Sequence, residues 1–271
     1  TEKKAYQGLT EIEEDQNMEV ENDDNSQYID MSLEKDIEAH FQENGIDQER
    51  VAYCITDLEH NIKYSMNEKD EFIAASIYKL PLAMLYYDKV NEGEYTLDST
   101  FTYSGYMHED AGVISSDYGI GSQVPLSDLL NDLIIYSDND AGHILYENLG
   151  GWKEYKEAMT KYTDSISENY YTMDNVTTAN TMNDVVTYLY DHKEDYKGLI
   201  KNMEKAEPGE YLDRDTQLSM PQKYGMYDYA LNSVGFVECN TSYSIVVLTS
   251  LGDKGADVMA NINRIAYEHF K

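Results

Sequence analysis

Strand-forming stretches in this chain fall in two blocks, one toward each end, and nearly everything between them reads as helix or loop. The first block holds VAYCITDL (51–58) and NIKYSMN (61–67), which Glu59 and His60 join as a hairpin. The second holds YALNSVGFVEC (229–239) and SYSIVVLTS (242–250). A helix precedes the first block, SLEKDIEAHFQENG, with Leu33, Ile37 and Phe41 spaced by four and Gly45 as its stop. Another, ADVMANINRIAYEHF, closes the chain. The order predicts one α/β lobe built from both ends, about 33–88 and 214–271, with a helical lobe, about 89–213, inserted between its halves.

Residues 1–32 stand apart. They are acidic, without apolar periodicity, and are expected to form a disordered linker. They hold ten acids up to Asp30, against Lys3 and Lys4, and the rest of the chain still carries −24 of the total −32. Such a surface repels phosphate backbones and anionic lipid heads, which argues against nucleic acid and membrane-surface partners. No run approaches the roughly 18 apolar residues of a membrane span. Nor does the N-terminus show a basic-then-apolar leader, so any targeting segment is expected to have been removed or never present. Cys54 and Cys239 are too few for a disulfide framework, and the six histidines form no ligand pattern, so no metal or other cofactor is expected.

Three short motifs carry chemistry. In AASIYKLPLAMLYYDKV (74–90), Ser76 and Lys79 stand three apart where a strand gives way to an apolar helix. That spacing shares a helix face and puts an amine within reach of a hydroxyl. Roughly one S-x-x-K arises by chance in a chain this long, and Ser32-Leu33-Glu34-Lys35 is a second, in which Ser32 reads as a helix N-cap. Ser137-Asp138-Asn139 follows 61 residues after Ser76, and such a tripeptide recurs by chance in about one chain in twenty. Lys223-Tyr224-Gly225 comes 86 residues after Ser137, just ahead of the second strand block.

In this order and spacing the three motifs resemble those of the penicillin-recognising serine enzymes, the class A β-lactamase-like branch in particular, whose signature is S-x-x-K, S-D-N and K-T-G. The stretch ITDLEHNIKYSMNEKDEFIAASIYKLPL looks like the hairpin leading to that family's nucleophile, and the similarity covers about residues 33–271. It implies a β-lactamase/transpeptidase-like α/β fold (an α+β sandwich): an antiparallel sheet flanked by helices, with an inserted all-helical lobe. The implied catalytic residues are Ser76 as acylated nucleophile, Lys79 as its base, Ser137 as proton shuttle and Lys223 as the neighbouring charge. Asn139 is implied to bind the substrate amide, Tyr103 to form an aromatic wall, and the backbone N–H groups of Ser76 and Met226 to form an oxyanion hole, with Tyr224 and Gly225 lining the same strand. The implied substrate is a β-lactam or related amide. A cell-wall D,D-peptidase-like activity with poor β-lactam turnover and a non-catalytic ligand-binding role are the alternatives. Small-molecule or peptidoglycan-like partners, a monomer and an extracytoplasmic location complete the expectation.

Two departures from the family pattern matter. Tyr224 stands where the family has Thr or Ser, whose hydroxyl holds the substrate's carboxylate, and the only arginines are Arg50, Arg214 and Arg264, of which Arg214 is nearest in sequence. The deacylating E-x-x-x-N is also missing: none of Glu147, Glu154, Glu157 and Glu168 has asparagine four residues on, leaving Glu168 or Asp174 as substitutes. The family's strand order further implies that a whole strand separates Cys54 from Cys239, which predicts free thiols.

Overall fold

A computed structural model describes residues 30–105 and 112–271. The linker reading of 1–32 therefore lies outside the described residues except at its last three. The chain runs α1 (Ser32–Glu43), β1 (Val51–Asp57), β2 (Ile62–Met66), β3 (Phe72–Ile73), a 3-10 turn (Ala75–Tyr78) and α2 (Lys79–Asn91). Then come β4 (Thr100–Thr102), α3 (Val113–Asp117), β5 (Gln123–Pro125), α4 (Leu126–Ile135), α5 (Asn139–Asn148) and α6 (Trp152–Met159). After β6 (Val176–Thr177), α7 (Ala179–Asp191) and α8 (Lys197–Met203), the sheet resumes with β7 (Gln222–Tyr227), β8 (Ala230–Val237) and β9 (Tyr243–Thr249) before α9 (Lys254–Phe270).

The two strand blocks meet in one antiparallel sheet ordered β2-β1-β9-β8-β7. Every residue of β1, β8 and β9 is buried, because helices cover both faces. That explains why these strands read as continuous apolar runs rather than as an alternation. The alternation is present in three dimensions. Ala52, Cys54, Val234, Phe236, Val246 and Leu248 face a core shared with α2, α4 and α7. Val51, Tyr53, Ile55, Ile245 and Val247 face Leu33, Ile37 and Phe41 of α1 and Met259 and Ile262 of α9. Each of the three α1 side chains is fully buried, contributing roughly 1.5–3 kcal/mol apiece.

β7 is an edge strand and had no clear signature of its own; it is the strand that carries the third motif. The hairpin turns at Asp57, whose carboxylate accepts from the backbone N–H of Glu59 and His60. α1 begins at Ser32 with Met31 as its N-cap, so Ser32 is its first helical residue and not the cap the sequence suggested. Cys54 pairs with Val246 of β9, and β9 separates it from β8, beyond which Cys239 lies; both thiols are free. Among the described residues no helix is long and apolar enough to cross a membrane.

Candidate active site

Ser76 owes its position to the strand that precedes it. β3 pairs with β6, and Ala74 N–H donates to Asn175 O, so the chain arrives extended. Ala75 then takes φ +51°, a left-handed conformation disfavoured for a residue with a Cβ, and turns the backbone into the 3-10 turn that holds Ser76. Asn175 Nδ2 secures the kink by donating to Ala75 O at 2.9 Å.

One turn later Lys79 opens α2, fully buried. Its Nζ lies 3.0 Å from Ser76 Oγ, 2.7 Å from Ser137 O, 3.2 Å from Ser137 Oγ and 2.7 Å from Asn139 Oδ1. Burial pushes its pKa down to about 7, against an opposing pull from the Asp138 carboxylate. Two of the four neighbours are carbonyl oxygens, which can only accept. A neutral amine has two N–H donors, and those oxygens take both, leaving its lone pair for a hydroxyl proton. The Ser76 hydroxyl is the nearer of the two available.

Ser137 is also left-handed, at φ +55°, in the bend between α4 and α5. The middle residue of its motif is structural. Asp138 caps α5 through Ala141 N–H and also accepts from Ile114 N–H on α3. Lys223 on β7, likewise fully buried, comes 3.1 Å from Ser137 Oγ and 2.5 Å from Tyr224 O. Burial, then the nearby Lys79, holds its pKa well below the usual lysine range, with Glu207 acting the other way. Ser137 Oγ thus bridges two buried amines.

Gly225 sets how closely β7 approaches. A Cβ there would fall 2.6 Å from Ser76 N and 2.8 Å from Ile77 N, so only glycine lets the strand edge lie against the nucleophile's backbone. Met226 follows, exposed. Tyr224 is half-buried, its ring 4.1 Å from Lys223 Nζ and stacked on Tyr211 at 4.9 Å.

Of the expected site residues, Ser76, Lys79, Ser137, Asn139 and Lys223 form one hydrogen-bonded cluster, and Tyr224, Gly225 and Met226 continue the strand along it. Tyr103 is buried in the core with its hydroxyl donating to Asp140, the residue after Asn139. Arg214 turns elsewhere: Asp215 and Asp257 of α9 hold its guanidinium. Glu168 and Asp174 are exposed, and no carboxylate among the described residues hydrogen-bonds Ser76 or Lys79.

Two positioning side chains escaped the sequence reading. Asn232, fully buried on β8, donates from Nδ2 to Ile73 O and Ala74 O and accepts from Thr249 N–H, tying the approach to Ser76 onto the sheet. Lys156, buried on α6, donates to the carbonyls of Tyr170, Thr172 and Asp174 and so folds the loop before Asn175. An isolated asparagine inside an apolar strand is the one signal that marked the first; nothing local marked the second. Together the cluster offers a hydroxyl, an amine able to take its proton, and a second hydroxyl between amines: the parts of an acyl-transfer site.

Comparison with known proteins agrees with this geometry. The sequence model of a family described as the beta-lactamase enzyme family matches residues 32–270. No curated protein sequence matches. Among solved structures, a beta-lactamase from Chitinophaga pinensis superimposes with a TM-score of 0.74 at 20% identity, covering 89% of this chain and 100% of that one. PBP-A, solved as a mutant in acyl-enzyme complex with penicillin G, gives 0.74 at 17% identity over 89% and 96% of the two chains. A beta-lactamase from Sphaerobacter thermophilus gives 0.73 at 21% identity over 89% and 98%.

Proposed function

The chain belongs to the beta-lactamase enzyme family, and from that premise we propose that it is a serine hydrolase that takes an acyl group from β-lactams or related amides onto Ser76 and releases it slowly. The observation that carries the reading is the environment of Lys79 Nζ, 3.0 Å from Ser76 Oγ with both of its neutral-state N–H groups engaged by carbonyl oxygens. Ser76 Oγ attacks the amide carbon as its proton passes to Lys79. The oxyanion that forms is met by the backbone N–H groups of Ser76 and Met226, whose proximity the close contact at Gly225 supports. As the C–N bond breaks, the leaving nitrogen receives a proton through Ser137 Oγ, which Lys79 and Lys223 flank. Asn139 and the edge of β7 orient the acyl donor.

Slow release follows from what surrounds the site. Hydrolysis of the ester needs a base to activate water, and the candidate acids Glu168 and Asp174 face solvent. PBP-A, similar in fold, was captured as an acyl-enzyme with penicillin G, which is in keeping with this reading. The same observation favours a peptidase-like role, in which the acyl group comes from a cell-wall amide, over that of an efficient β-lactamase.

A chromogenic cephalosporin mixed with the protein tests this. One equivalent of opened ring per Ser76 should appear in a burst, followed by a far slower steady rate, and Ser76→Ala should show neither. Rapid steady turnover would overturn the slow-release half of the proposal. Absence of both burst and turnover in the native chain would remove β-lactams as its substrates.

A further inference from the structure

The Lys223 side of the cleft is built from different chemistry than a carboxylate requires. A carboxylate is normally held by a guanidinium fork or by small hydroxyls beside an ammonium group. Here Arg214 is occupied by Asp215 and Asp257. Arg50 is held by Ser250 O, and Arg264 lies on α9 beside Asn261. The place of a small hydroxyl is taken by Tyr224. Its ring is at the site, since the centroid sits 4.1 Å from Lys223 Nζ, which is itself 3.1 Å from Ser137 Oγ. Tyr211 stacks on it with an interplanar angle of 20°. The acid of this neighbourhood is Glu207, whose charge reaches Lys223, Tyr211 and Tyr224 alike. Lys223 Nζ is already engaged by Ser137 Oγ and Tyr224 O.

Resting on the acyl-serine reading above, we propose that the Tyr211–Tyr224 pair is a specificity subsite that accepts an acyl donor with an uncharged carboxamide on the Lys223 side and disfavours a free carboxylate. An amide plane stacks on an aromatic face and its N–H can reach Glu207, whereas a carboxylate there meets a like charge and a ring in place of a hydroxyl.

The test compares benzylpenicillin with its primary carboxamide. In both, the Ser76 Oγ–C bond forms, the lactam C–N bond breaks, and the hydroxyl proton ends on the freed nitrogen, so intact mass rises by one whole molecule. The carboxamide is expected to acylate the native protein at least about tenfold faster than the acid, and Tyr224→Thr should narrow or reverse that ratio. Equal rates, or a faster acid, in the native protein would overturn the proposal. A fluorophosphonate, which labels an activated serine with loss of fluoride and the hydroxyl proton as HF, separates the two readings. If it labels Ser76 while neither penicillin does, protection decides: slower labelling with the carboxamide than with the acid supports the subsite, and any other order overturns it. If the fluorophosphonate fails to label, the nucleophile falls and this inference falls with it.

Discussion

Lys79 is the residue on which the chemistry turns, because a lysine is a base only when something removes its proton. Complete burial does that here, bringing its pKa to about 7. The sign is fixed. Below that pH the amine is protonated and has no lone pair to offer, and above it the lone pair is free. Acylation of Ser76 is therefore expected to rise through about pH 7 and then level off, in second-order rates measured from about pH 5 to about pH 9. A flat or falling profile would contradict the role. Lys79→Ala should slow acylation by about 10²–10⁴-fold across the same range. The residues of this cluster were legible in advance because each belongs to a short motif. Their neutrality was not, since burial depends on how α2, α5 and β7 converge.

At the scale of elements, the site is a seam between β7, the turn before α2 and the bend between α4 and α5. Gly225 and Asn232 hold two sides of that seam. Gly225→Ala places a methyl group against the N–H groups of Ser76 and Ile77 and forces β7 outward. Acylation should fall by about 10²-fold with the fold kept, read by intact mass beside a circular-dichroism melt. Asn232→Ala strips partners from Ile73 O, Ala74 O and Thr249 N–H in a buried place. A loss of about 2–4 kcal/mol is expected from urea unfolding, and an unchanged midpoint would show that these bonds stabilise nothing. The outer strands β1, β8 and β9 were readable as apolar runs, and α1 and α9 by their periodicity. β7 was not, because QKYGMY carries a lysine, a glycine and a polar start that only its edge position and its site explain. Asn232 and Lys156 act on backbone far away in sequence, a relation that no local pattern encodes.

The whole molecule shows how a chain closes a sheet with its two ends around a helical layer, and the cysteines report on that closure. Cys54 is fully buried on β1 and Cys239 is partly exposed beyond β8. Thiol labelling without reductant should find at most the second in the native state and both after denaturation; none after denaturation would mean a disulfide and a different strand order. The family was legible from three motifs in order, whereas the subsite beside Lys223 appeared only once Tyr211 was seen to stack on Tyr224. The central claim is that Ser76 accepts an acyl group and keeps it. The direct measurement is intact mass of the native protein and of Ser76→Ala, sampled after exposure to benzylpenicillin and again after the excess is removed. A gain of one penicillin on the native chain alone, still present hours after removal, is the predicted result. The same gain on both proteins, or an adduct gone within seconds of removal, would contradict the account.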